Sequence, residues 1–148
     1  VNFSIADNIV MSARPRKGLL RDKKKEKELV EQYVDRVHIK TDNPDNPASS
    51  LSGGNMQKVV IGKCLATSPK VLLLNNPTRG IDISARQEIY SLIRKLANEG
   101  LSIIMLTEDL LELLGMSDRI LITRHNKISK IFDENNGLTE EDVISYIV

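Results

Sequence analysis

Hydrophobic residues along the chain follow two periods, one typical of amphipathic helices and one typical of short buried strands. The first clear helical pattern covers 22–37, where Asp22 can act as the N-cap. Lysines and glutamates fill one face of this helix, as on a solvated surface. The apolar side chains share the opposite face: Leu29, Val30, Tyr33, Val34 and Val37.

A proline-rich joint at 40–50 separates this region from a more regular pattern that follows it. Beyond the joint, short apolar runs alternate with helical patterns, which predicts an α/β fold with a parallel sheet covered by helices on both faces. A tight turn at 125–127 joins the last two strands. The predicted strands are 71–74, 102–106, 119–123 and 128–132, and the predicted helices are 55–67, 84–98, 110–114 and one opened by Thr139.

Two of these helices have a predicted inner face. In 84–98 the inward residues are Ile89, Leu92, Ile93 and Leu96. In 55–67 they are Met56, Val59, Val60, Cys64 and Leu65. Cys64, the single cysteine, excludes an internal disulfide and fits a reducing compartment, and its place in an apolar pattern predicts an inert packing thiol rather than a reactive one.

Composition narrows the class of protein. The 148 residues match the length of one domain, and 41% hydrophobic with 28% charged residues is ordinary for a globular chain. The net charge of +1 gives no general argument for a nucleic-acid partner, although basic residues concentrate in 14–28. No apolar run approaches the ~20 residues of a membrane span. We therefore expect a cytoplasmic chain, and its beginning at Val1 suggests a fragment.

The first candidate for binding chemistry is the turn Ser52-Gly53-Gly54, which precedes a predicted helix. Backbone N–H groups and the positive end of the helix dipole form an anion site at such a position, and glycine lets a phosphate approach the backbone. A simple turn that caps a helix explains the same three residues. The glycine-rich loop G-x-x-x-x-G-K-[ST], which usually cradles phosphate in α/β domains, does not occur in this sequence.

The second candidate is the stretch VLLLNNPTRGID at 71–82, where a strand runs into a polar loop. Enzymes that handle nucleotide phosphates usually have carboxylates at such a point, because Mg²⁺ and an attacking water both need negative oxygen. This chain has Asn75 and Asn76 there.

Taken together, LSGGNMQK, SPKVLLL and PTRGID closely resemble the signature motif, Walker B strand and D-loop of ABC transporter ATP-binding subunits. They are most similar to the second nucleotide-binding half of the duplicated subunit in bacterial monosaccharide importers of the ribose, galactose and xylose type. FSIADNIVMS at 3–12 resembles the segment after the Q-loop of this family. The run GLSIIMLTEDLLELLGMSDRILI at 100–122 also resembles the family. The resemblance implies a partial P-loop NTPase domain without its Walker A portion. It also implies a helical signature-subdomain portion at 1–50 and a core portion at 51–148.

The resemblance implies roles for individual residues. Ser52, Gly53 and Gly54 would bind the γ-phosphate of an ATP held by a partner half, with Asn55 and Gln57 shaping the loop. Asp82 would be the D-loop residue that crosses the dimer interface.

This sequence departs from the family at three positions. Asn75 stands where the family has the Mg²⁺-associated Asp, Asn76 where it has the catalytic Glu, and Glu108 at the switch position that often holds His. An amide is a weaker Mg²⁺ ligand than a carboxylate and cannot act as a base toward water, and loss of a general base commonly costs ~10²–10⁴ in rate. We expect the site formed by these residues to be degenerate.

The resemblance also implies the cofactors, the partners and the location of the chain. ATP and Mg²⁺ would act in the assembled transporter, and the fragment alone would bind neither. The partners would be another nucleotide-binding half and membrane permease subunits, which would hold the chain at the inner face of the membrane. The alternative is a non-catalytic module that binds such partners without ATP turnover. A DNA-associated or translation factor is disfavoured by the near-neutral charge. An open sheet edge would favour self-association.

Overall fold

In this computed structural model, the described residues are 3–13, 16–17 and 20–147, so part of the basic run 14–28 lies outside them. The helices of the described residues are α1 (Ile5–Val10), α2 (Lys23–Arg36), α3 (Gly53–Leu65), α4 (Ile83–Asn98), α5 (Leu110–Met116) and α6 (Glu140–Ile144). The strands are β1 (Arg16–Lys17), β2 (Leu20–Arg21), β3 (Val71–Asn75), β4 (Ser102–Leu106), β5 (Ile120–Arg124) and β6 (Lys127–Phe132). Each predicted helix and strand therefore exists, with ends that differ by three residues or fewer.

Within the described part of the chain, the strands pair in three two-stranded sheets. β3 and β4, with α4 between them in the chain, form the parallel pair, so the predicted α/β class is confirmed. β1 and β2 pair antiparallel. β5 and β6 form an antiparallel hairpin across the predicted tight turn, where His125 and Asn126 both have positive φ. A left-handed pair of residues at a hairpin tip matches the twist of the two strands.

One compact unit combines Val1–Leu72 with Pro77–Ile104. In this unit α1 packs on α2 and α3, and α3 packs on α2 and α4. The Tyr33 hydroxyl on α2 donates a hydrogen bond of 2.9 Å to the carbonyl oxygen of Leu65 at the end of α3. The buried apolar residues include the four predicted for α4 and the following others: Ile5, Ile9, Val30, Val37, Val59, Ile61 and Leu65.

The inner face predicted for α3 was wrong in part. Val59 and Leu65 are buried, but Met56, Val60 and Cys64 are exposed. Two glycines lie on the packed side of α3, since a Cβ on Gly62 would lie 3.5 Å from Val37 Cγ2 and one on Gly54 would lie 2.6 Å from the Cβ of Ala85. A pattern of large apolar residues does not identify a face that packs through glycines, so Cys64 is not the packing thiol that we expected.

The second compact unit combines Leu73–Asn76 with Met105–Val148. Its core lies between the β5–β6 hairpin and the two short helices α5 and α6, and Ile120, Ile122 and Val143 form its buried centre. Thr139 caps α6 in a reciprocal arrangement with Asp142. The predicted boundary near residue 50 stays a prediction. Within the described residues, the helices are all too short or too polar to cross a membrane.

Candidate functional site

The turn at Ser52 begins α3 as an N-cap. The Ser52 hydroxyl accepts a hydrogen bond from the backbone N–H of Asn55 and one of 3.1 Å from the Asn55 side-chain amide. Gly53 and Gly54 are the first two residues of the helix, where backbone N–H groups have no acceptor inside the helix. Ser52 and Gly53 are exposed. The arrangement can therefore present N–H groups and a helix N-terminus to an anion.

Gly54 brings this turn against the beginning of α4. A Cβ atom on Gly54 would lie 2.6 Å from the Cβ of Ala85, closer than real Cβ atoms approach another atom. One on Gly53 would lie 3.9 Å from the carbonyl oxygen of Gly80. Glycine at position 54 is thus required by the packing of two helices, independently of any ligand.

Asp82 caps α4 in the same manner as Ser52 caps α3. Its Oδ1 accepts 2.6 Å and 2.9 Å hydrogen bonds from the Ser84 hydroxyl and the Ala85 backbone N–H. These two bonds, the hydroxyl first, hold the pKa of the Asp82 carboxyl below its usual value. The residue predicted to reach a partner is exposed and ionised, and in this chain it also fixes the start of its own helix.

The two other residues predicted to shape the turn differ in their contacts. Asn55 Oδ1 accepts a 2.9 Å hydrogen bond from the backbone N–H of Lys40, which ties the turn to the segment after α2. Gln57 is half-buried in the second turn of α3. Of the pair, Asn55 is the residue whose contacts fix the position of the turn.

Sequence reasoning missed a cluster of charges beside this turn. Lys58 on α3 is buried, and its Nζ donates a 2.6 Å hydrogen bond to Oε2 of Glu88 on α4. Lys40 Nζ lies 2.8 Å from Oε1 of the same carboxylate. A signal was present in the sequence, because Lys58 follows Gly54 by four residues and so shares the face of α3 that meets α4.

The asparagines and the switch residue lie together in the second unit. The Asn76 backbone N–H donates to the carbonyl oxygen of Leu106 on β4 at 2.8 Å. Asn76 Oδ1 accepts a 3.3 Å hydrogen bond from the Glu108 backbone N–H, and its Nδ2 lies 3.4 Å from Asn75 Oδ1. Asn76 has a φ of 46°, a left-handed conformation that asparagine tolerates better than most residues. Residues that follow β3 and β4 therefore meet.

The chemistry of these side chains does not fit a magnesium site. Asn75 and Asn76 offer neutral amide oxygens, and Mg²⁺ is bound in proteins chiefly through carboxylates and phosphates. In 3–13, 16–17 and 20–147, no three His, Cys, Asp or Glu residues are grouped so as to hold a metal ion.

Comparison with known sequences agrees with the motifs. The profile of the ABC transporter family matches residues 2–79. The chain is similar to the ribose import ATP-binding protein RbsA of Shouchella clausii, with 42% identity over 99% of this chain and 30% of the relative. It is 47% identical to RbsA of Bacillus subtilis over 87% of this chain and 27% of the relative. The arabinose import ATP-binding protein AraG of Azospirillum brasilense is 45% identical over 85% of this chain and 25% of the relative.

Solved structures give the same fold. The chain superimposes on cbiO1 from Clostridium perfringens, part of the ABC transporter complex cbiONQ, with a TM-score of 0.78 and 25% identity over 98% of this chain and 57% of that one. It also superimposes on the ATP-binding cassette MJ0796, in a dimeric state bound to ADP and phosphate, with a TM-score of 0.73. The sequence identity is 18%, and the match covers 92% of this chain and 58% of that one. The chain spans about a third or less of its sequence relatives. It belongs to the ABC transporter family, as an ATP-binding cassette portion.

Proposed function

We propose that this chain is part of the ATP-binding subunit of a monosaccharide ABC importer, and that its signature turn completes an ATP site held by a partner half. The observation that carries the proposal is the exposed N-terminus of α3, where Ser52 is the cap and Gly53 and Gly54 begin the helix. The relatives named for ribose and arabinose import support the substrate class.

In this proposal the site formed by the chain's own β3 and β4 contributes little hydrolysis. Asn75 and Asn76 have no carboxylate that could bind a metal or accept a proton. Glu108 contacts Asn76 through its own backbone N–H. ATP and Mg²⁺ would bind in the assembled transporter and not to this chain alone. A half that serves its partner's chemistry needs an intact signature, whereas its own Walker B position can be degenerate.

The signature turn would act on the phosphate through charge and backbone donors. An N–H group that points at a transferring phosphoryl group stabilises the charge of its transition state in a water-poor site. Gly53 leaves the approach to these donors open because it has no Cβ. The position of Asp82 at the cap of α4 fits a role beside this turn, since α3 and α4 meet at Gly54 and Ala85.

The test uses the full-length parent subunit assembled with its permease partners in proteoliposomes. Ser52→Asp and Ser52→Asn both keep an N-cap acceptor and have nearly the same shape, but only the first adds a negative charge. We expect ATP turnover of Ser52→Asp to fall about 10²-fold below that of Ser52→Asn, the size of loss seen when one transition-state donor is removed. Ser52→Ala, which loses the cap, separates helix stability from phosphate binding.

Turnover of both variants at the level of the unaltered subunit would reject a phosphate role for the turn. The non-catalytic module would then be the better description of the chain. The proposed location, at the cytoplasmic face of the membrane through the permease, is tested separately by sedimentation. The parent subunit should sediment with vesicles that contain the permease and stay in solution with vesicles that lack it.

A further inference from the structure

We propose that Lys58 and Glu88 form a positioning pair that holds the signature turn at 52–55 in a fixed relation to the D-loop turn before α4. This inference rests on the proposed function, because the turn being positioned is the one that would meet the partner's ATP. The pair touches no phosphate in this role. It acts through the two helices that begin at Ser52 and Asp82.

The burial of Lys58 is the first observation. Only 3% of this residue is exposed, and a lysine is seldom buried unless its charge is compensated. Its Nζ donates to Glu88 Oε2 at 2.6 Å and to the carbonyl oxygen of His38 at 3.0 Å. Removing one partner from a buried pair leaves a poorly compensated charge, so the arrangement resists displacement of α3 from α4.

The second observation is that α3 and α4 meet at two successive turns. Gly54 and Lys58 are four residues apart on α3, and Ala85 and Glu88 are three residues apart on α4, so each pair shares one face of its helix. Gly54 meets Ala85 by close steric contact and Lys58 meets Glu88 by an ion pair. A steric contact and a directional contact one turn apart fix both the separation and the register of the two helices.

A third element is held by the same residues. In the segment at 38–40, the His38 carbonyl oxygen accepts the hydrogen bond from Lys58 Nζ. The backbone N–H of Lys40 donates to Asn55 Oδ1 at 2.9 Å. His38 has a φ of 53°, in the left-handed region that residues other than glycine uncommonly adopt and in which histidine, like asparagine and aspartate, is enriched. The signature helix is thus anchored at its first and second turns to one short segment, and through Glu88 to α4.

Positioning of this kind affects rate more than binding. A displacement of about 1 Å by a residue outside the reacting atoms can lower a rate about 10²-fold, because the donors no longer lie where charge develops. A pair that only stabilised the fold would change the melting temperature and leave kcat of the folded enzyme unaltered. Measuring kcat apart from KM and from stability therefore separates the two roles.

The test measures ATP turnover of the full-length parent subunit assembled with its permease partners. Lys58→Met replaces the buried ammonium with an apolar side chain of similar length, and Glu88→Gln removes the carboxylate charge. We expect each to lower kcat by about 10-fold to 10²-fold with KM changed by less than about twofold. The double variant should lose no more than the worse single one, because residues that act as a unit are not additive.

Lys40→Met is the matched control, because Lys40 pairs with the same carboxylate from an exposed position. It should keep kcat within about twofold, since exposed ion pairs contribute little. If Glu88→Gln fails to assemble because it leaves the buried Lys58 ammonium without its carboxylate, Lys58→Met carries the test, since the Glu88 side chain that remains is 43% exposed and still pairs with Lys40.

Ser52→Asp and Ser52→Asn are measured in the same preparation. If Ser52→Asp lowers turnover and the Lys58 and Glu88 variants change only the melting temperature, the positioning role is rejected and the proposed function stands. If both Ser52 variants turn over as fast as the unaltered subunit, the proposed function and the positioning role are both rejected. Additive losses in the double variant would also reject a pair that acts as a unit.

Discussion

Gly54 on α3 faces Ala85 on α4 so closely that a Cβ on Gly54 would lie 2.6 Å from the Cβ of Ala85. Both helices carry their N-caps nearby, Ser52 two residues before Gly54 and Asp82 three residues before Ala85. The glycine that the signature pattern suggests for phosphate access is therefore also the contact that joins the two candidate functional turns.

Gly54→Ala should destabilise the chain by about 1–3 kcal/mol, the range for overpacking a filled contact. The Ala85 methyl group belongs to a helix that the Lys58–Glu88 ion pair also holds, so α4 has little freedom to move away. Thermal and urea unfolding followed by circular dichroism measure the loss.

Two variants control this prediction. Gly54→Ala with Ala85→Gly exchanges the methyl group across the contact and should recover most of the lost stability. Gly115→Ala on α5 meets nothing within 4 Å and should be neutral or stabilising by up to about 1 kcal/mol. A Gly54→Ala chain as stable as the original would contradict the close packing of α3 on α4.

Glu88 gives a prediction of pH dependence. Hydrogen bonds from Lys40 and Lys58, with the charge of Lys58, lower the pKa of the Glu88 carboxyl from 4.5 to about 2. A carboxyl whose pKa is lowered by folding contributes stability above its unfolded pKa and loses that contribution as pH falls toward the folded value. The difference in melting temperature between the original chain and Glu88→Gln should hold steady above about pH 5 and shrink toward about pH 2. A difference that grows on acidification would contradict this sign.

Asn76 gives a prediction about the degenerate site. Asn76→Gly removes the side-chain amide and suits the φ of 46°, so the backbone conformation is preserved. We expect ATP turnover of the assembled parent subunit to stay within about twofold, because an amide supplies no general base to lose. Turnover that falls tenfold or more would mean that the Asn76 side chain takes part in hydrolysis.

The outer face of the β5–β6 hairpin predicts self-association of the isolated chain. Leu121 and Ile131 are directly paired across the two strands and are 51% and 42% exposed, and Ile128 is exposed as well. Contiguous exposed apolar side chains on a sheet favour association. Light scattering over a concentration series should show assemblies larger than one chain, and Leu121→Lys should reduce them. A clean monomer at all concentrations would contradict the prediction.

The sequence by itself determined the family and the order of elements. Periodicity located the helices and strands from α2 onward, but not α1, β1 or β2, because only longer apolar patterns at helical or strand spacing stand out in a sequence. Asp22, Ser52 and Thr139 marked helix starts through local chemistry that needs no distant contact. The motifs around Ser52 and Asn75 identified the family, and the profile match confirmed it.

Only the tertiary structure decided the full buried face of α3 and which charges are paired. Val59 and Leu65 are buried as predicted, but the buried face of α3 also includes Gly54, Lys58 and Gly62, and Cys64 is exposed. The ion pair of Lys58 with Glu88 joins residues 30 positions apart. Whether a charged residue in a helical pattern is solvated or buried depends on what the rest of the chain places opposite it, and that partner is fixed only when the helices pack.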